Sequence, residues 1–315
     1  MNVIRAEWFK VVRKRRTYIL GALWLVLLPV LALIIGQVVL STLSTDFAQE
    51  ASPVAVADLV QAIASAYGIA RLHLVLPALL SPPFYIIVMS LLAALFIGEE
   101  RSQNMWKTTL VAQPSRLAVL SGKFIVAMLV YGVFLFGGYL LSFVYGAVGS
   151  LFLPTTFAGA WLNLLGLYAL QWLYGIAGMV FAFLMIWLLR NTALGIISIF
   201  FLPALLEGLY SIYATVVGFQ PLNRLNVIFQ ALRLRRTLEN LPRYFFTNNL
   251  YAPARAPLNE VIRIFGGNPA TDDLGPLTNL LGTGITLQHA GLVMAGYALV
   301  LGAILVISFL RRDVA

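Results

Sequence analysis

Six apolar stretches, at 17–40, 82–98, 122–148, 161–189, 192–215 and 287–310, dominate this chain. A helix needs about 20 such residues to cross the hydrocarbon core of a bilayer. Of 315 residues, 61% are hydrophobic and 10% charged, whereas soluble domains carry about 25% charged residues. A water-soluble core could not hide that much apolar surface, so the sequence reads as an all-α integral membrane protein with six spans. The second span is the shortest, but the apolar run Leu72–Leu80 lies before its Ser81-Pro82-Pro83 start and can extend it. Prolines suit a helix entrance, where the first N–H groups have no partner. Only Arg190-Asn191 separates spans four and five, so they form a tight helical hairpin. Tyr18–Leu40 is too long for a secretory signal and has no small-residue cleavage site behind it, so it reads as an uncleaved first span.

Charge sets the expected orientation. Arg5, Lys10, Arg13, Lys14, Arg15 and Arg16 precede span one, and Arg101, Lys107, Arg116 and Lys123 lie between spans two and three. Arg190 marks the hairpin, and Arg311 and Arg312 follow span six. If six spans alternate, all of these share one side with every lysine of the chain, and the positive-inside rule makes that side cytoplasmic. Both termini are then cytoplasmic, and the expected location is the cell membrane. The segment 216–286 falls outside although it contains Arg224, Arg233, Arg235, Arg236, Arg243, Arg255 and Arg263. Loops beyond about 60 residues contribute little to orientation. The net charge of +9 is spread over short loops, which argues for orientation signals and against nucleic-acid binding.

The chain has no cysteine, which excludes disulfides, thiolate metal sites and cysteine nucleophiles. Its two histidines, His73 and His289, form no metal-binding spacing and read as interfacial polar residues. Outside the bilayer, Ser52-Pro53 has the form of a helix cap ahead of the Ala-rich stretch 54–70. Leu222, Leu225, Phe229 and Leu232 recur at helical spacing, so external helices are expected between spans five and six. No internal repeat is visible, which disfavours transporters built from inverted halves.

Two segments look able to do work. In the tail 1–16, Ile4, Trp8, Val11 and Val12 fall on one helical face, with Glu7, Lys10, Arg13 and Lys14 opposite. A helix lying among the lipid headgroups with Trp8 as anchor is expected, each basic residue adding about 1 kcal/mol on an anionic leaflet. The second is the polar loop from Gly98 to Lys123. Trp106 to Leu110 is helical in composition, and Pro114 disfavours helix at Gln113 while suiting the first turn of the next helix. A short helix, a bend and a second helix make a stiff knuckle whose load would pass into two spans.

At these residues the chain resembles the ABC-2 type permease family, the membrane subunits of ATP-binding-cassette exporters. The resemblance rests on an acidic residue ending span two (Glu99 or Glu100), then Trp106, Pro114-Ser115-Arg116 and Lys123. The family's Gly-Thr is replaced by Asn104-Met105, and Ser115 follows Pro114 directly. Glu7-Trp8 followed by Lys10 is similar to the family's elbow helix, and Phe309-Leu310-Arg311-Arg312-Asp313 to its C-termini. The resemblance implies an N-terminal cytoplasmic elbow helix, a cytoplasmic coupling helix within 99–121, and a separate cytoplasmic ATPase subunit docked on both. Glu7, Lys10, Glu99, Glu100, Arg101, Trp106, Pro114, Ser115, Arg116 and Lys123 become the coupling residues, with the roles of partner contact and local brace left open for the charged ones. It also implies a second permease copy, identical or not, and a hydrophobic, lipid-like or peptidic substrate. No Walker A motif is present, since Gly122-Lys123 runs into Phe124. The chain is thus expected to be no enzyme itself and to bind no cofactor, with ATP and Mg on the partner.

One acid lies inside a span. Glu207 is the sixteenth residue of 192–215, about 23 Å along the helix at 1.5 Å per residue, and Pro203 four residues earlier is expected to kink that helix. Intramembrane acids are costly and point to function, which would put Glu207 on the translocation path. The other reading is a protonated side chain, or one paired with an outer arginine such as Arg224. Two further classes compete. An ion-coupled secondary transporter needs several intramembrane ionisable groups, and the spans offer little beyond Glu207, Gln37, Asn163 and Gln171. An intramembrane enzyme needs convergent acid, base and nucleophile, for which this chain has few candidates.

Overall fold

A computed structural model describes residues 2–45, 60–61, 63–79, 83–102, 115–215, 238, 240–258 and 285–311. Every regular element among them is helical. The chain opens with α1 (Asn2–Arg13), then α2 (Arg15–Ala22), a π turn (Leu23–Leu27) and α3 (Leu28–Thr45). Helices α4 (Ala66–Leu79) and α5 (Phe84–Ala93) follow, with a second π turn (Ala94–Gly98) leading into α6 (Glu99–Ser102). The longest helices are α7 (Arg116–Gly149), α8 (Trp161–Leu189) and α9 (Thr192–Thr215). After a 3-10 turn (Leu241–Tyr244) come the short α10 (Phe246–Leu250) and α11 (Ala252–Arg255), and finally α12 (Leu287–Arg311).

Among the described residues five helices are long and apolar enough to cross a membrane: Arg15–Val38, Arg116–Gly149, Trp161–Leu189, Thr192–Ala214 and Leu287–Arg311. They coincide with five of the six expected spans. At the place of the expected second span lies a bent helix pair, Ala66–Leu79 followed by Phe84–Arg101 with a 76° bend between them. The bend lies between Leu79 and Phe84, where the sequence carries Pro82-Pro83; a proline lacks the backbone N–H and biases the residue before it against helix. Pro203 does not interrupt α9, which runs through it from Thr192 to Thr215. Of the segment 216–286, where external helices are expected, residues 238, 240–258 and 285–286 are described and hold the 3-10 turn, α10 and α11, while Leu222, Arg224, Leu225, Phe229 and Leu232 lie outside the described residues.

The described helices group into two compact units, Met1–Val88 with Leu120–Leu173 and Pro253–Gly267, and Met89–Val119 with Tyr174–Ala252 and Asn268–Ala315. In the first, the packing closes around Trp24, which is fully buried. Its indole stacks on Phe84 at 5.2 Å between centroids and meets the edge of His73 at 5.4 Å. At this π turn the His73 Nε2–H donates to the Trp24 carbonyl at 3.1 Å. Single π turns inside helices often carry such inserted contacts. The Tyr168 hydroxyl donates to the Ala70 carbonyl at 2.7 Å and stands 3.4 Å from His73 Nδ1. His73, which the sequence reads as an interfacial polar residue, is enclosed by this packing and only 1% exposed. Glycine at 138 makes this possible, because a Cβ there would overlap the His73 ring.

In the second unit, α8 and α9 are joined as the sequence predicts, by Arg190 and Asn191. Arg190 adopts a left-handed φ of 56°, and Asn191 Oδ1 accepts from the N–H groups of Ala193 (2.9 Å) and Leu194 (3.2 Å). An asparagine cap and one left-handed residue reverse the chain within two positions. Only 17% of the apolar windows of α9 and α12 are buried, so both helices present long leucine- and isoleucine-rich faces to their surroundings.

Candidate functional site

The amphipathic tail forms α1 as expected, and its last turn ends where Lys14 turns extended (φ −82°, ψ 117°) before α2. The Tyr18 hydroxyl returns to the Val12 carbonyl at 2.6 Å and closes that end of α1. The facing of the helix differs from the sequence reading. Glu7 (3% exposed) and Val11 are buried, while Trp8, Phe9 and Val12 are exposed. The reason is a long-range ion pair. Glu7 Oε1 accepts from Lys10 Nζ at 2.9 Å and forms an ion pair with the Lys123 ammonium at 3.1 Å, and Lys123 has no exposed surface. A buried ammonium must be met by a charge, so α1 turns its acid inward and leaves its aromatic residues outward. Arg13 lies 3.9 Å over the Phe9 ring on that outer face. Close approach is possible because residue 122 is glycine; a Cβ there would come within 2.6 Å of Val3 Cγ1.

The charged residues on either side of the 103–114 segment are tied to helix ends in the second unit. Arg101 donates from Nη1 to the Trp187 carbonyl at 3.1 Å and sits 5.1 Å over the Trp187 indole. Trp187, itself buried, packs on Phe309 with centroids 4.6 Å apart. Arg116 donates to the Leu310 carbonyl at 3.3 Å. Both carbonyls belong to the last turns of their helices, α8 and α12, where unpartnered carbonyls and the negative dipole end favour a cation. Ser115 Oγ accepts from the Ala118 N–H at 3.4 Å and caps α7. Gly98 packs against Thr192, where a Cβ would lie 2.6 Å from Oγ1. Glu100 is buried (5% exposed) and Glu99 half-buried. Trp106 and Pro114 lie outside the described residues.

Of the ten expected coupling residues, the structure thus brings Glu7, Lys10 and Lys123 into one buried ion-pair cluster. It ties Arg101 and Arg116 to two helix C-termini. Trp187 and Phe309 complete the second arrangement; Phe309 belongs to the C-terminal motif noted in the sequence, whereas Trp187 was missed, because an aromatic in an apolar run carries no signal of its own.

Glu207 belongs to a separate place. Its carboxylate accepts from the Thr247 N–H at 3.1 Å and from the Thr247 hydroxyl, holding the short segment 241–250 against α9. It lines a cleft of about 320 Å³ together with Phe181, Leu206, Tyr244, Phe246 and Tyr297. The Tyr297 hydroxyl donates to the Tyr244 carbonyl at 3.0 Å, and His289 Nε2–H to the Arg243 carbonyl at 3.0 Å, so α12 also grips this segment. Among the described residues no group of three or more His, Asp or Glu is placed to hold a metal ion.

Among the described residues every regular element is helical and five helices are long and apolar enough to be spans, an architecture compatible with a multi-pass membrane protein. No protein-family model, curated protein or solved structure matches the chain.

Proposed function

We propose that this chain is the permease subunit of an ABC-2 type exporter, coupling ATP hydrolysis by a separate cytoplasmic ATPase to the passage of a hydrophobic, lipid-like or peptidic substrate. Six spans, with the broken pair as the second, would place both termini, α1 and the 99–121 loop on the cytoplasmic side. The observation that carries the reading is the anchoring of Arg101 to Trp187 and of Arg116 to Leu310. A push on the segment between these arginines would reach α8 and α12 as well as the two helices it joins. In this reading α1 is the elbow, and the buried Glu7, Glu100 and Lys123 are braces, while a partner contacts Ser115, the half-buried Glu99 and the segment containing Trp106 and Pro114. A second permease copy would cover part of the exposed α9 and α12 faces.

The test exploits the absence of cysteine. Ser115→Cys should react with a membrane-impermeant maleimide only after cells are permeabilised. The tagged chain should also co-purify with an ATP-hydrolysing subunit, and reversing Arg116 and Glu100 together should weaken that association or uncouple hydrolysis from transport. Labelling of Ser115→Cys in intact cells, or an assembly that never contains such a subunit, would overturn the reading.

One observation favours the alternative, an ion-coupled transporter with no ATPase. The broken second span carries the buried Arg71 and His73, and broken helices with ionisable groups are the usual machinery of such proteins. Transport driven by an ion gradient in proteoliposomes holding this chain alone would decide for it.

A further inference from the structure

An open groove of about 550 Å³ runs along the first half of α12. His289, Leu292, Val293, Gly296 and Val300 line it, and their spacing of three and four residues puts them on one helical face. Tyr297 of the same helix and Tyr244 of the 3-10 turn complete the wall. From His289 to Val300 the groove extends about 16 Å at 1.5 Å per residue. One leaflet holds about 15 Å of hydrocarbon, half of the roughly 30 Å core. The groove thus matches the depth of a single leaflet.

Its two ends differ in chemistry. At one end His289 Nε2–H donates to the Arg243 carbonyl at 3.0 Å, and the Tyr244 and His289 rings meet edge to face with centroids 5.1 Å apart. Arg243 itself is exposed. Side chains with an apolar body and a polar tip suit the headgroup level of a membrane. Further along, Leu292 (77% exposed) and Val300 (61% exposed) offer hydrocarbon to their surroundings, and the Tyr297 hydroxyl already donates to the Tyr244 carbonyl. Gly296 leaves the floor open, because a Cβ there would meet no neighbouring atom within 4 Å. Among the described residues that line the groove none is acidic. Glu207 lines the adjoining cleft with Tyr297, which lies about 12 Å down the helix from His289.

We infer that this groove holds a phospholipid with an anionic headgroup, its phosphate beside Arg243 and one acyl chain laid along α12 from Leu292 to Val300. The inference needs α12 to lie in a membrane and does not depend on the exporter reading. Arg243 should favour an anionic headgroup about fivefold, the weight of one basic residue at an anionic surface.

The test uses the full chain in dodecyl maltoside and native mass spectrometry, with dioleoyl phosphatidylglycerol and dioleoyl phosphatidylcholine, which share their chains and differ in headgroup. The first phosphatidylglycerol bound should be held at least fivefold more tightly than phosphatidylcholine. Arg243→Gln should weaken it about fivefold and leave phosphatidylcholine within about twofold. Gly296→Leu, which fills the floor without displacing an atom, should weaken both lipids tenfold or more. A phosphatidylglycerol with a diazirine in mid-chain should crosslink within 289–300. Should Gly296→Leu not fold, Arg243→Gln and the crosslink decide. Equal affinity for the two lipids, binding indifferent to either substitution, or a crosslink elsewhere overturns the assignment. So does displacement of the lipid by millimolar glycerol 3-phosphate, which would put a free phosphate at Arg243, or a dimer lost in Gly296→Leu, which would put a second copy in the groove. No ATPase is present in this assay, so its failure leaves the exporter reading standing.

Discussion

Glu7 and Lys123, 116 positions apart in sequence, meet at 3.1 Å, and the lysine has no exposed surface. This contact, more than the amphipathic pattern, decides how α1 lies. Removing one partner of a buried pair typically costs about 3–5 kcal/mol, whereas replacing both with apolar groups can be near neutral. Lys123→Met alone should therefore lower the apparent melting temperature in detergent sharply. Glu7→Leu combined with Lys123→Met should recover most of the loss, although Lys10 is then left without its acid. Equal destabilisation by the single and double variants would show that the pair is incidental to α1.

The two anchoring arginines should differ in weight. Arg101 combines a charge-assisted hydrogen bond, about 1.5–3 kcal/mol, with an indole contact of about 0.5–2 kcal/mol. Arg116 gains from the Leu310 carbonyl but stands at the positive end of its own helix, where a cation costs about 0.3–1 kcal/mol. Arg101→Ala should thus destabilise clearly and Arg101→Lys recover only part, since an ammonium cannot both stack and donate as a planar guanidinium does. Arg116→Ala should change stability by less than about 0.5 kcal/mol, within the range of ordinary surface substitutions. Thermal unfolding of the three variants in one detergent checks the ranking, and an Arg116→Ala loss matching that of Arg101→Ala would refute it.

Arg190 holds a left-handed backbone that costs a residue with a Cβ about 1 kcal/mol. Arg190→Gly should therefore stabilise the chain by several tenths to about 1 kcal/mol, less whatever backbone entropy glycine adds to the unfolded state. Asn191→Ala should destabilise by about 1 kcal/mol through loss of the α9 cap. The two changes should shift the apparent melting temperature in opposite directions. A shift in the same direction would contradict this account of the turn.

Gly138 and His73 should behave as one unit. A methyl at 138 forces the imidazole off the Trp24 carbonyl, and overpacking of this kind costs about 1–3 kcal/mol. In a His73→Ala background the same Gly138→Ala change should cost almost nothing, because the obstructing ring is gone. A double-mutant cycle measures the difference, and an interaction energy near zero would show that the two sites are independent.

The spans were legible because an apolar run of membrane length needs no partner to be recognised. The Arg190-Asn191 hairpin was legible for a similar reason, since its geometry is local. What stayed hidden was pairing over long sequence distance. Periodicity put Glu7 and Lys10 on a solvent face because charges outside a span ordinarily seek water, and nothing near position 7 announces Lys123. The same holds for Glu207, whose donors come from Thr247, and for Trp187 as the platform of Arg101. The sequence reading named Pro82-Pro83 as the start of a span, which is half right. The described residues add a helix ahead of them, α4, set at 76° to the one that follows.

The two-residue connection between α8 and α9 bears on how the protein is made. So short a link cannot wait in water while one helix enters the membrane and the other follows. As spans, helices α8 and α9 would enter the lipid as a folded-over pair, with Arg190 left at the surface from which they came. Lengthening that link with a flexible polar insert should therefore disturb biogenesis before it disturbs the finished protein.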